Sequence, residues 1–313
     1  MRNLITDVGG LRVGNAHSAE INSGATVLVC DEPVIASGTV LGGAPGTRGV
    51  SMLEPDNTVE TVDAIALSGG SAFGLATATG VEDRMRSMGR GFQIGDAHVP
   101  IVPGAIVFDL LNGGDKNWGD ENPYPTMGRE ACEAASADFQ IGRNGGGYGA
   151  TTATGHGGLG SASAQHDGFT VGALVVVNAV GTAYVGDSST FWAAPFERDG
   201  EFGARGFDLS SFDPERIVMK GANPAENTTI GVIATDLALT KAQCKRLAIM
   251  ACIGYGKALW PSHAIFDGDM VFGVSTGKAR EATASDMTAL SALAPATMAR
   301  AIARGIFHAE GTW

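Results

Sequence analysis

Asn227-Thr228-Thr229 is where residue type and spacing in this chain could do covalent chemistry. The tripeptide opens the apolar run from Ile230 to Thr235 and follows the loop Gly221 to Glu226. A threonine hydroxyl at a loop-to-strand junction can attack the carbonyl just before it. The acyl group then moves from nitrogen to oxygen, and water cuts the ester between Asn227 and Thr228. Thr228 would become a new N-terminus, and an α-amine with an ordinary pKa of about 8 is neutral enough near pH 7 to take a proton. Nucleophile and base would then sit on one residue, the threonine–amine pairing that activates a weak hydroxyl. Such a chain would be a proenzyme that cuts itself into an amide hydrolase. Two bland alternatives stand beside this: Asn and Thr are ordinary turn residues, and the tripeptide also matches a glycosylation acceptor.

The elements that must position this junction follow from hydrophobic patterning. Strands are predicted at Ala25 to Val29 and Ala64 to Ser68, the second running through Gly69-Gly70-Ser71 into a helix with Leu75, Ala78, Val81, Met85 and Met88 on one face. Ser71 would cap that helix and Gly89 would stop it. A strand that turns through Gly-Gly-Ser into a helix leaves backbone N–H groups able to hold an oxyanion, although a plain tight turn explains the same residues. Residues 91–125, rich in Gly, Pro, Asp and Asn, read as loop.

The glycine-dense segment from Gly142 to Gly160 has no phosphate-loop lysine. Its Gly145-x-Gly147-x-x-Ala150 lacks the flanking strand and helix of a dinucleotide site. It reads as backbone that passes close to something. Thr170 to Asn178 is a continuous apolar run, the pattern of a strand buried on both faces, ending on Asn178 as a turn former or a placed donor. After Thr228 come a strand to Thr235 and a capping box at Thr240-Lys241-Ala242-Gln243 that opens a helix to about Ala258. An Asp267-Gly268-Asp269 turn, a strand from Met270 to Val274 and two short helices follow, the second begun at Pro295. Strands and helices alternate without a strict βαβ rhythm, which predicts a mixed α/β or α+β sandwich.

Composition bounds the partners. With 33 acidic against 21 basic residues the net charge is −12, which repels phosphate backbones. The surface suits neutral or amine-bearing ligands, and nucleic acid is not expected. No stretch approaches the ~20 apolar residues of a membrane span, and Met1 to Asp7 lacks the apolar core of a secretory signal. The four cysteines (Cys30, Cys132, Cys244, Cys252) form no CxxC pattern and read as small core residues, in keeping with a reducing cytoplasm.

Taken in order, several stretches resemble one family: Ile5-Thr6-Asp7-Val8, Gly42-Gly43-Ala44-Pro45-Gly46-Thr47-Arg48, Ser68-Gly69-Gly70-Ser71-Ala72-Phe73-Gly74-Leu75, Pro100 to Ala105, Gly158 to Ser163, Gly172 to Asn178, Asn227-Thr228-Thr229-Ile230 and Asp267-Gly268-Asp269. The chain resembles the self-processing L-aminopeptidase/D-esterase (DmpA-like) family, which includes β-aminopeptidases and 6-aminohexanoate-oligomer (nylon oligomer) hydrolases. The resemblance implies an α+β, four-layer αββα sandwich spanning 1–313 as one domain. It implies autocleavage into a large chain, 1–227, and a small chain, 228–313, and a homo-oligomer, often a tetramer. It implies no cofactor and no metal, and a short peptide or amide as substrate. By matching position Thr228 would be the nucleophile, Asn178 the oxyanion donor, and Asp267 and Asp269 the acidic pair beside the nucleophile.

Elementary chemistry agrees with those roles. A freed amine needs a carboxylate within hydrogen-bond reach to orient it, and two close carboxylates repel, raising one pKa so that it can shuttle a proton. A metal at Asp267, Asp269 and His263 has no diagnostic ligand spacing. The chain departs from the nylon-oligomer branch at His156, where those hydrolases carry Lys, and at Phe108, where they carry Tyr. That leaves the second oxyanion donor open, with Ser71 or a backbone N–H of Gly69-Gly70 as the candidates. An acyltransferase of the ornithine acetyltransferase type, which shares the fold, and a non-catalytic relative are the other readings.

Overall fold

A computed structural model describes residues 1–221 and 227–310. In chain order the strands and helices are β1 (Leu11–Ser18), β2 (Ser23–Val40), β3 (Thr47–Arg48), β4 (Thr61–Ser68), α1 (Thr77–Ser87), β5 (Phe92–Ile94), β6 (Ala97–Val99), β7 (Gly104–Ile106), α2 (Tyr124–Glu133), β8 (Thr151–Thr152), β9 (Gly155–His156), β10 (Gly158–His166), β11 (Phe169–Asn178), β12 (Thr228–Thr235), α3 (Lys241–Gly256), β13 (Met270–Ser275) and α4 (Ala284–Phe307). The main sheet runs β10-β11-β12-β13-β2-β4-β7-β3, with β1 beside β2.

β2 is the seam of the fold. Its first half, Ala25 to Val29, pairs with β1 and β4, and its second half, Ile35 to Val40, pairs with β13. Between them the register to β4 shifts, at exposed Asp31-Glu32-Pro33. Proline has no N–H to give a ladder, so it belongs at such an irregularity. The sheet is thereby divided into two halves that face each other.

Side-chain alternation along β11 shows what each half covers. Val171, Ala173, Val175 and Val177 enter a core with α3 and α4, through residues such as Leu247, Ala251, Met298 and Ile302. Leu174 and Val176, on the other face, meet Leu28, Ile65, Leu67, Ile230 and Phe272 in a core between the sheet halves. A third core joins Val27, Ala64 and Ala66 to Val81, Met85 and Met127 of α1 and α2. Three cores between four layers is the αββα arrangement. β11 is buried along its whole length, as the apolar run predicts, and each Val or Leu so enclosed contributes about 1.5–3 kcal/mol.

The glycine-dense segment is the predicted close approach. A Cβ on Gly160 would sit 1.9 Å from the Ala301 carbonyl of α4, and one on Gly157 1.8 Å from the Val177 carbonyl of β11. Three expectations are corrected. The closing helices are one helix, α4, which runs through buried Pro295 because its packing on α3 outweighs the lost hydrogen bond. Ser71 does not cap α1: it opens a 3-10 turn, Ser71–Ala76, and α1 starts at Thr77. Residues 91–125 hold the β5–β6 hairpin, β7 and the start of α2. Among the described residues no helix is long and apolar enough to cross a membrane. The four cysteines are free and buried.

Candidate active site

Strand register builds the site. β11 and β12 are antiparallel with Asn178 opposite Thr228. β12 and β13 are parallel, with Ile230 level with Met270. Carried back past the strand starts, that register sets Thr229 beside Asp269 and Thr228 beside Gly268, and hydrogen bonds hold both pairs. Thr229 N–H donates to Asp269 Oδ1 at 2.6 Å, and Gly268 N–H to Thr228 Oγ1 at 3.2 Å. Gly268 N–H also reaches the Asn227 carbonyl at 3.2 Å. The Thr228 hydroxyl itself bonds the Asn227 carbonyl oxygen.

The Asp-Gly-Asp turn is pinned from behind. Leu41 and Gly42 N–H groups donate to the Asp269 carbonyl at 3.0 and 3.1 Å, and Ala44 N–H to the Asp267 carbonyl at 2.9 Å. A Cβ on Gly42 would lie 2.1 Å from the Asp267 carbonyl oxygen, so only glycine lets this strap approach. Asn227, Thr228, Asp267, Asp269 and Asn178 are all buried.

The two carboxylates differ. Asp269 Oδ2 receives the His263 backbone N–H at 3.2 Å and faces its ring Nδ1 at 2.8 Å. His263 Nε2 faces the Cys252 carbonyl at 3.4 Å, and the ring stacks on Tyr255. Both ring nitrogens thus look at acceptors, which only the doubly protonated ring satisfies. Burial opposes that charge, but the Asp269 hydrogen bond and charge outweigh it and raise the His263 pKa. Asp267 Oδ2 accepts Ala264 N–H at 2.7 Å, while its buried Oδ1 meets no hydrogen-bond partner among the described residues. Burial first, and the Asp269 charge second, push the Asp267 carboxyl up to about 7.

Asn178 is oriented by its surroundings. Its Oδ1 accepts from Thr151 N–H at 3.0 Å, Lys220 Nζ at 3.0 Å and Asn112 Nδ2 at 3.3 Å, and its Nδ2 donates to the Phe108 carbonyl at 2.9 Å. Three donors on one oxygen fix which end of the amide is N–H. His156 pairs with Thr151 in the β8–β9 hairpin and so stands one residue pair from Asn178; burial, then the Arg143 charge, lowers its pKa.

The Gly69-Gly70-Ser71 turn is a different matter. Gly69 N–H donates to the Gly24 carbonyl at 2.9 Å, Gly70 N–H to Asp109 Oδ1 at 2.8 Å, and Ser71 N–H to the Val107 carbonyl at 3.0 Å. All three backbone donors are spent within the fold, which corrects the expectation of an oxyanion donor among them; the half-buried Ser71 side chain is what the turn has left. Gly70 is needed because its φ is +82° and a Cβ would strike the Tyr124 ring at 2.1 Å.

Sequence reasoning missed Lys220, Asn112 and the Gly268 N–H, and it met His263 only as a weak metal ligand. Lys220 and Asn112 reach Asn178 over 42 and 66 residues of chain, and nothing local marks them. Of the loop before the junction, 222–226 lie outside the described residues.

Residues 3–313 match the family described as Peptidase family S58. An uncharacterized aminopeptidase of Mycobacterium tuberculosis is 38% identical over 98% of this chain and 94% of its own. A 6-aminohexanoate-oligomer endohydrolase of Paenarthrobacter ureafaciens is 27% identical over 93% of this chain and 82% of its own. Among solved structures, the L-aminopeptidase D-Ala-esterase/amidase of Ochrobactrum anthropi, described as a variant of the Ntn hydrolase fold, superposes with a TM-score of 0.68 at 20% identity, covering 99% of this chain and 87% of that one. A Burkholderia β-aminopeptidase does so with a TM-score of 0.67 at 22% identity, covering 97% and 86%. Fold and comparisons together define a hydrolase of the DmpA-type Ntn fold. The chain belongs to peptidase family S58.

Proposed function

We propose that the chain is a self-processing N-terminal-threonine amidohydrolase that cleaves amide bonds of short peptides or amino-acid amides. Processing divides 1–313 into 1–227 and 228–313 and frees the Thr228 amine. Thr228 Oγ1 attacks the substrate carbonyl and its proton passes to that amine, then to the leaving nitrogen. Asn178 donates to the oxyanion, Asp267 and Asp269 orient the amine, and water releases the acyl group from Thr228. The observation that carries this reading is the Thr228 hydroxyl resting on the Asn227 carbonyl, between Asn178 and the Asp-Gly-Asp turn. Homo-oligomers, with a tetramer as the form the resemblance favours, and a cytoplasmic setting complete the proposal.

Intact mass and N-terminal sequencing of the denatured protein test it. Two chains, one beginning Thr-Thr-Ile-Gly, are expected, and Thr228→Ala should remain one inactive chain. Processing in that variant would remove the nucleophile from the scheme. The second reading, hydrolysis of 6-aminohexanoate oligomers, is favoured by the relative named above and by Lys220, which brings a lysine to Asn178 although His156 is not one. Release of aminohexanoate from its linear oligomers separates the two.

A further inference from the structure

We infer that the backbone N–H of Gly268 is the second oxyanion donor, and that one N–H serves both self-cleavage and substrate hydrolysis. The inference rests on the self-processing reading above. Gly268 N–H lies 3.2 Å from the Asn227 carbonyl oxygen and 3.2 Å from Thr228 Oγ1. It therefore touches the two oxygens that a tetrahedral intermediate at this junction must contain. When Thr228 Oγ1 bonds to the Asn227 carbonyl carbon, the C=O electron pair moves onto that oxygen, and the N–H already pointing there meets the developing charge. The hydroxyl proton ends on the Thr228 nitrogen as the C–N bond breaks. Water then splits the ester, leaving an Asn227 carboxylate and restoring the hydroxyl. In turnover a substrate acyl group bonds to the same Oγ1, so its carbonyl oxygen takes the place the Asn227 oxygen held.

Position and rigidity favour the role. The donor is buried with Asp267 and Asp269 and is held by the strap at 41–44, so nothing need reorganise during the reaction. The residue must also be small, because a Cβ on Gly268 would stand 2.8 Å from Thr228 Oγ1 and 3.0 Å from the Ala44 carbonyl. With the N–H groups at 69–71 bonded elsewhere, this donor complements Asn178 from the other side of Thr228: Asn178 comes from β11 and Gly268 from the turn before β13.

The test replaces this N–H alone. Glycolic acid incorporated at 268 in the full chain turns the amide into an ester, and cleavage is followed by intact mass. Loss of one such donor slows the reaction about 10²–10³-fold, and that slowing is expected here, with the melting temperature near wild type. Because the ester also weakens the Asp267 carbonyl as acceptor for Ala44 N–H, lactic acid at 44 is the control: it removes that bond and keeps the Gly268 N–H. Slow cleavage at 268 with near-normal cleavage at 44 supports the role. Cleavage of the 268 ester at the wild-type rate, or equal slowing in both variants, overturns it. A wild-type chain that never cleaves would instead sink the self-processing reading.

Discussion

The turn at Gly69-Gly70-Ser71, which packs on Asp109, and the turn at Asp267-Gly268-Asp269 each bury a carboxylate beside a glycine, and they are finished differently. At Asp109, Oδ1 takes the Gly70 N–H and Oδ2 takes the Ser23 hydroxyl at 2.6 Å, which in turn meets Tyr124 at 2.9 Å. Every donor there has an acceptor. At Asp267 one oxygen is bonded and the other is buried without a partner among the described residues. Burial raises the pKa at both places, against the hydrogen bonds from Ser23 and Gly70 at Asp109 and with the help of the Asp269 charge at Asp267. The first turn is a closed polar network that holds the fold. The second leaves bonding capacity unused next to Thr228, where an amine freed by cleavage could use it.

The contrast makes predictions of decreasing size. Asp267→Asn should slow turnover about 10²-fold, the scale on which a reacting group that loses its orienting partner falls out of position. It should also change the pH dependence of stability. A carboxyl whose pKa is near 7 folded but about 4 unfolded binds more protons in the native state across that interval, so stability falls as pH rises through it, at up to about 1.4 kcal/mol per unit. Asparagine cannot ionise, so melting curves from pH 4 to 8 should show a flatter slope in the variant. An unchanged slope would mean that Asp267 is not held neutral.

Asp109→Ala should do the opposite, costing about 2–4 kcal/mol in urea unfolding because it orphans the Gly70 N–H and the Ser23 hydroxyl, while the folded fraction still cleaves. Lost cleavage at normal stability would erase the distinction between the turns. The smallest effect is expected from His263→Gln. It removes the ring bond to Asp269 Oδ2, worth about 1–2 kcal/mol. The raised His263 pKa makes that contribution present in acid and lost as pH rises through the folded value. The gap between variant and wild type should therefore narrow on going alkaline, and a gap that widens would contradict a charged His263.

How much of this was legible in the sequence depended on whether the signal was local. β11 announced itself by continuous apolar residues, α3 by its Thr240–Gln243 capping box, which forms as read, and the Asp-Gly-Asp turn by composition. The apolar pattern of β2 ends at Val29 because Asp31-Glu32-Pro33 interrupts it where the strand crosses between sheet halves. Pro295 reads as a helix boundary because proline breaks a helix unless tertiary packing overrides it, as it does within α4. Within the site, the residues that sequence named are those with side chains suited to the chemistry. Gly268 acts through a backbone N–H, which any residue but proline carries, so only the parallel register of β12 and β13 reveals it. Lys220 and Asn112 are found only after the chain folds them onto Asn178.

The order of the sheet has one more consequence. β12 and β13 lie between β11 and β2, so cleavage before Thr228 would leave the short chain's two strands inserted between strands of the long one. The two products would be interleaved, unable to part without breaking ladders on both sides. The precursor finds that arrangement as a single connected molecule. The cut enzyme, once denatured, would have to find it by collision of two chains, so its recovery should depend on protein concentration and that of the precursor should not.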